Sequence, residues 1–225
     1  MSGVLVVMEQ RAGTWNKMSF EALAAGQQLA TKLGVSVSAA VVGEGLQSLG
    51  GVSSGGKVDA AYAVEHALLK EYTADGYVAA LEQLVKKLEP AYVLFPHTYQ
   101  VRDFAPALAT RFKQVLISDV IAIHEGPVFV RQLLQGKLNA DYRQTGSGPC
   151  FVSVQAGTFR ADESQKTTVA LETFTPTLEP AQIRNKPGEL FRESAQIALC
   201  RLWSKSTKIS AGQISPARFS NVAST

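Results

Sequence analysis

The residues able to move a proton near neutral pH are three histidines, His66, His97 and His124, and they fall on separate elements of the chain. A Ser/His/Asp triad would need His97 beside a distant serine, and no nucleophile-elbow Gly-x-Ser-x-Gly is read, so hydrolysis is not the expected chemistry. Cys150 and Cys200 lie far apart with no CxxC or Cys/His spacing. Buried free thiols are therefore expected, with no disulfide and no zinc site. The glycine-rich stretch Gly43 to Gly56 resembles a phosphate loop in composition only. Lys57 is followed by Val58-Asp59 rather than a hydroxyl residue, and no GxGxxG stands in this register. Two readings stay open there: a connection with one short helix, or a nucleotide loop.

Charged residues offer more. Arg102-Asp103 follows a short polar turn, His97 to Val101, after an apolar run, and so sits at the carboxyl end of a strand, where open α/β sheets build their sites. The alternative is structural: Asp103 caps the next helix and Arg102 pairs with a neighbouring carboxylate. Arg131, inside Phe129-Val-Arg-Gln-Leu, places a charge within an apolar strand, which calls for a partner or an interface.

The elements that hold these residues follow from hydrophobic pattern. Ala91 to Phe95 and Val4 to Met8 are apolar without alternation, as strands covered on both faces of a parallel sheet should be. Ser19 is read as the cap of a helix carrying Leu23, Gly26, Ala30 and Leu33, ended by Gly34. Val35 to Val42 and Val58 to Val64 are the next strands. From Thr73, Tyr77, Leu81, Leu84, Val85 and Leu88 form a helical stripe that Pro90 stops. Asp103 is read as the cap of a helix with Phe104, Leu108 and Phe112 on one face and Pro106 in its first turn. Val115 to Ile123, interrupted at Ser118-Asp119, and Val128 to Leu134 make an antiparallel pair about Gly126-Pro127. Phe151 to Val154 is a further strand and Thr167 to Phe174 an edge strand. The expectation is α/β, three-layer, with a mainly parallel sheet flanked by helices and added antiparallel strands. Residues 1–175 would form the domain, 176–203 a linker with a helix at 189–203, and 204–225 a disordered tail.

The chain has 225 residues, 46% hydrophobic and 18% charged, enough for one core of ordinary size. Its net charge of +3 comes from scattered residues, so no nucleic-acid surface is expected. No run approaches a membrane span and no signal segment is read, so a cytoplasmic protein is expected.

Taken together, Leu94-Phe-Pro-His-Thr-Tyr-Gln-Val-Arg-Asp-Phe-Ala-Pro-Ala-Leu-Ala-Thr-Arg-Phe112, Ser118-Asp-Val120 and Phe129-Val-Arg-Gln-Leu-Leu-Gln-Gly-Lys137 resemble, in order and spacing, the amino-terminal domain of the electron transfer flavoprotein α subunit. The likeness runs from about residue 3 to 195 and implies an adenine nucleotide α-hydrolase-like fold. It also implies a separate carboxyl-terminal FAD domain and a β subunit carrying AMP. The heterodimer would be an electron carrier, not an enzyme, between acyl-CoA and related dehydrogenases and a membrane quinone reductase. Arg102, Asp103, Ser118, Asp119 and Arg131 are then family-motif or interface candidates. Val101, Ala107 and Gln155 depart from the family pattern, where Gly, Arg and Arg are usual. Pro187 to Arg192 resembles the linker into the FAD domain, but that domain's Gly-Arg-Gly motif does not follow, so this chain is not expected to bind FAD alone. Three readings follow: a docking and scaffolding domain, a free-standing adenine-nucleotide-binding domain using Gly43 to Gly56, or an inactive truncated product.

Overall fold

A computed structural model describes residues 3–160, 167–185 and 188. The helix read at 189–203, the tail at 204–225 and Cys200 lie outside the described residues. The first compact unit of the chain is Met1–Pro187.

The chain opens with β1 (Val4–Met8), buried at every position. A small hairpin follows, β2 (Gln10–Arg11) against β3 (Thr14–Trp15), turned by Ala12 and Gly13 at positive φ. Helix α1 (Lys17–Leu33) is capped by Asn16, whose side chain accepts the Met18 N–H, and ends at Gly34 in the left-handed region. Ser19 is therefore not the cap. It lies inside the first turn, fully buried, and its hydroxyl accepts the Glu9 N–H at 2.7 Å while donating to the Glu9 carbonyl at 3.2 Å. Gly26 lets the helix approach the sheet: a Cβ there would stand 2.4 Å from Val6 Cγ2.

Next come β4 (Val37–Gly43), β5 (Val52–Ser54) and β6 (Ala60–Glu65). Helix α2 (Ala74–Leu88) buries Tyr77, Leu81, Leu84 and Val85, the stripe expected from sequence, and ends at Glu89 before Pro90. Then follow β7 (Tyr92–Pro96) and α3 (Tyr99–Arg111). The cap of α3 is Thr98, whose hydroxyl accepts the Val101 N–H at 3.1 Å, so the Asp103 cap is a correction. Pro106 consequently stands inside the helix rather than in its first turn. Strands β8 (Leu116–His124) and β9 (Val128–Leu133) form the expected antiparallel pair. Strand β10 (Leu138–Tyr142), not foreseen, extends it. The rest are β11 (Cys150–Val154), β12 (Thr167–Val169) and β13 (Leu171–Phe174). The single edge strand read at Thr167 to Phe174 is thus two: β12 pairs antiparallel with β5, and β13 pairs parallel with β6 at the sheet's edge.

Nine strands form one sheet in the order β10-β9-β8-β11-β7-β1-β4-β6-β13. All neighbours are parallel except β8-β9 and β9-β10. Alternation along β1 divides the core. Val4, Val6 and Met8 meet Leu23 and Leu29 of α1 on one face. Leu5 and Val7 meet α2 and α3 on the other, with Phe95, Phe104 and Phe151. Helices on both faces of a mainly parallel sheet give the three layers expected. Each fully buried Leu or Phe contributes about 1.5–3 kcal/mol.

Candidate functional site

The strand register builds the site. In the parallel pair β7-β11, Ser153 lies beside Phe95 and Val154 beside Pro96, and the His97 N–H donates to the Val154 carbonyl at 2.9 Å. This brings His97 Nδ1 to 2.9 Å from Ser153 Oγ, across 56 residues of sequence. On the other side of β11, the pairing with β8 runs Val152 to Ile117 and then Val154 to Val120. Ser118 and Asp119 together oppose Ser153, which is a β-bulge, and Asp119 takes a left-handed φ of 62°. The Asp119 N–H donates to Ser153 Oγ at 3.2 Å. The interruption legible at Ser118-Asp119 is this bulge.

His97 Nδ1 and Ser153 Oγ share one hydrogen bond whose direction is set by the imidazole tautomer: with the ring hydrogen on Nε2, the nitrogen on the side of Asp119 Oδ1, Ser153 is the donor. Nε2 stands 3.9 Å from Asp119 Oδ1. Burial holds His97 below its ordinary value of 6.5; Asp119 opposes this, and the positive charges of Arg102 and Arg131 add to it. The set has the composition of a hydrolytic triad, with the serine held differently. Ser153 is 0% exposed and its oxygen is engaged by His97 and the Asp119 N–H, bonds that orient the histidine and the bulge. The spacing Gly-x-Ser-x-Gly does occur once, at Gly51-Val-Ser-Ser-Gly55, contrary to the reading from sequence. Ser53 there is paired with Thr168 in the β5-β12 ladder and no helix follows, so it is no nucleophile elbow.

A cleft of about 420 Å³ opens beside α3 and β8, with His97, Arg102, Gln114, Ser118 and Ser153 among its walls. Arg102 is exposed, with its guanidinium 5.7 Å from the ring centre of Tyr99, itself 88% exposed. Among the described residues Arg102 forms no ion pair, so the expected carboxylate partner is replaced by this stacking. Asp103 is held elsewhere: it accepts the Tyr72 hydroxyl at 2.8 Å. Burial, and then that carboxylate, push the Tyr72 phenol far up. Arg131 sits opposite Val120 of β8 and Ala140 of β10, half-buried, its guanidinium 6.0 Å from the Tyr142 ring centre. Its Nε is buried with no hydrogen-bond partner among the described residues. Of the five candidates, Arg102 and Ser118 line the cleft, Asp119 frames His97, Arg131 acts on His97 through its charge, and Asp103 is separate. Ser153 and Tyr72 were not foreseen; an isolated Ser in Phe151-Val-Ser-Val carries no signal until strand register is known.

The glycine-rich connection is a short 3-10 helix (Leu46–Leu49) followed by β5. Its Gly45 and Leu46 N–H groups donate to the Glu65 carboxylate at 2.7 and 3.2 Å, the position a phosphate would need. Cys150 is a buried free thiol that burial pushes up to about 12, so it is unreactive.

The profile of the electron transfer flavoprotein domain matches residues 4–179. The electron transfer flavoprotein subunit alpha of Syntrophomonas wolfei is 32% identical over 160 residues, 70% of this chain and 49% of that protein. The subunit alpha of Bacillus subtilis strain 168 is 32% identical over 164 residues, 71% and 49%. That of Thermoanaerobacterium thermosaccharolyticum is 27% identical over 199 residues, 86% and 60%. The chain spans about half the length of the curated relatives it matches.

Proposed function

Since this chain belongs to the electron transfer flavoprotein domain family, we propose that it is an α-type amino-terminal domain whose own role is to scaffold and to dock a β subunit. The observation that carries this is Arg131, whose buried Nε has no hydrogen-bond partner among the described residues. A half-buried guanidinium in that state is stabilised by an acceptor from outside the domain. Arg102, on the cleft wall, and the exposed Tyr99 add a cation–aromatic pair of the kind interfaces favour.

FAD is implied for the complete family protein, and the described residues do not fit it. The pair of amides in the glycine-rich loop, Gly45 and Leu46, already holds Glu65. Among the described residues, the cleft of about 420 Å³ has Arg102 as its lining arginine and no glycine turn leading a helix N-terminus into it. Redox chemistry is therefore assigned to the assembled protein, with AMP on the β subunit, dehydrogenases such as those for acyl-CoA as donors, and a quinone reductase as acceptor. The same Glu65 contact weighs against an adenine nucleotide on Gly43 to Gly56. Among the described residues no helix is long and apolar enough to cross a membrane; a cytoplasmic location is part of the proposal.

The test is titration with a β subunit of the family, with and without Arg131→Ala. The expected result is binding that the substitution weakens by more than it lowers the melting temperature. Equal binding with a large loss of stability would make Arg131 structural and remove the support for docking.

A further inference from the structure

After β13 the chain runs back across α2, over a stripe of residues spaced four apart, Asp75, Ala79 and Gln83. Its first contacts are firm. The Gln83 amide holds both backbone groups of Thr177, accepting the N–H at 2.9 Å and donating to the carbonyl at 2.8 Å. The same nitrogen reaches the Ala79 carbonyl at 3.1 Å. Leu178 is buried and packs with the core shared by α2 and α3. The chain then makes a short 3-10 turn (Pro180–Gln182), exposed throughout, across which the Glu179 N–H donates to the Gln182 side chain at 3.3 Å.

The far end is held differently. One carboxylate, Asp75 in the first turn of α2, takes three donors from Arg184: Oδ2 accepts the backbone N–H at 3.1 Å and Nε at 3.3 Å, and Oδ1 accepts Nη2 at 3.2 Å. This is the fork of an arginine–carboxylate pair. Arg184 holds the Asp75 carboxyl below its ordinary value. Ile183 lies over Gly76, where a Cβ would stand 3.5 Å from Ile183 Cδ1. The Arg184 side chain is nevertheless 82% exposed. Water and salt reach such a pair, whereas they do not reach Leu178. The segment thus has a root that belongs to the core and a tip that an exposed ion pair closes.

We propose that residues 177–184 form a latched strap, rooted on α2 by Gln83 and Leu178 and closed at its tip by Arg184 on Asp75, and that this latch opens and closes while the domain stays folded. Closed, it makes the chain that follows leave the domain at the N-terminus of α2. Open, it frees residues 179–184 and adds about 20 Å of reach to that chain. The strap is independent of the docking role assigned to Arg131.

Amide hydrogen exchange of the 225-residue chain, read residue by residue by NMR at low and high salt, tests this. The amide of residue 184 is expected to exchange faster than that of Thr177, and salt should speed it several-fold while Thr177 and the β1 amides keep their rates. Asp75→Ala removes all three contacts, so residue 184 should exchange as an unprotected amide with no such dependence on salt. Arg184→Ala keeps the backbone bond to Asp75 and should fall between. In both variants Thr177 should stay protected and the urea midpoint should stay close to that of the intact chain. Should Asp75→Ala loosen α2 itself, Arg184→Ala decides the matter, since it leaves the helix untouched. Protection at residue 184 that matches Thr177 and ignores both salt and the substitutions overturns the proposal. So does loss of protection at Thr177 together with residue 184, which would make the segment one unit with the fold.

Discussion

Replacing Ser153 by alanine separates the two roles of the network around His97. The hydroxyl is fully buried, accepts the Asp119 N–H at 3.2 Å and bonds His97 Nδ1 at 2.9 Å. Its removal leaves one backbone N–H in a bulge without an acceptor, which costs about 1–3 kcal/mol. Loss of the histidine bond adds less, since His97 keeps 22% side-chain exposure and water can replace the hydroxyl. A total near 2–3 kcal/mol is expected, read as a shift in urea midpoint at unchanged slope. The second readout is His97 itself. In the Nε2–H tautomer Ser153 gives its proton to an unprotonated Nδ1 and so favours the neutral ring. In Ser153→Ala the histidine should titrate closer to its ordinary value of 6.5, followed by NMR of the imidazole protons. A loss of stability below about 0.5 kcal/mol, together with an unmoved histidine titration, would refute the network and its proton assignment.

Stability should also depend on pH through His97. Its folded value is depressed, so the contribution is complete above the unfolded value of 6.5 and is lost as pH falls through the folded value; His97→Gln should flatten that part of a stability–pH curve. Gly26→Ala should destabilise by about 1–3 kcal/mol despite a better helix former, because its Cβ would meet Val6 Cγ2 at 2.4 Å against a strand that cannot retreat; an unchanged melting temperature would show that α1 slides freely. The purified chain should be colourless, and its visible spectrum after titration with FAD should show no stoichiometric bound flavin; bound flavin would overturn the reading that the described residues do not fit it.

Fold class was legible where burial is two-sided. Val4 to Met8 and Ala91 to Phe95 read as central parallel strands from unbroken apolarity, and they are neighbours in the sheet. Helix starts were less legible, because competing caps stand close together. Asn16 precedes Ser19, and Thr98 precedes Asp103; the pull of Pro106 towards a first turn misplaced the start of α3. Strand β10 was missed since Leu-Asn-Ala-Asp-Tyr is mostly exposed and carries no buried face. The site was half legible. Ser118-Asp119 showed as a break in a strand, but its meeting with Ser153 and His97 depends on the register of β11 between β7 and β8, which local sequence does not encode.

That placement of β11 also sets a schedule. Strands β7 and β8 follow one another through α3, yet they are separated in the sheet by a strand that comes later in the chain, after the excursion through β9 and β10. Until Cys150–Val154 arrives, both flanking strands lack a neighbour on the side it will fill, and Phe95 and Phe112 lack the ring of Phe151 against which they rest. Insertion of a late central strand is a non-local event, slowed by the entropy of the loop it must close. During synthesis the growing chain therefore passes through a stage with a slot open in mid-sheet, an unpaired edge of the kind that invites misassembly.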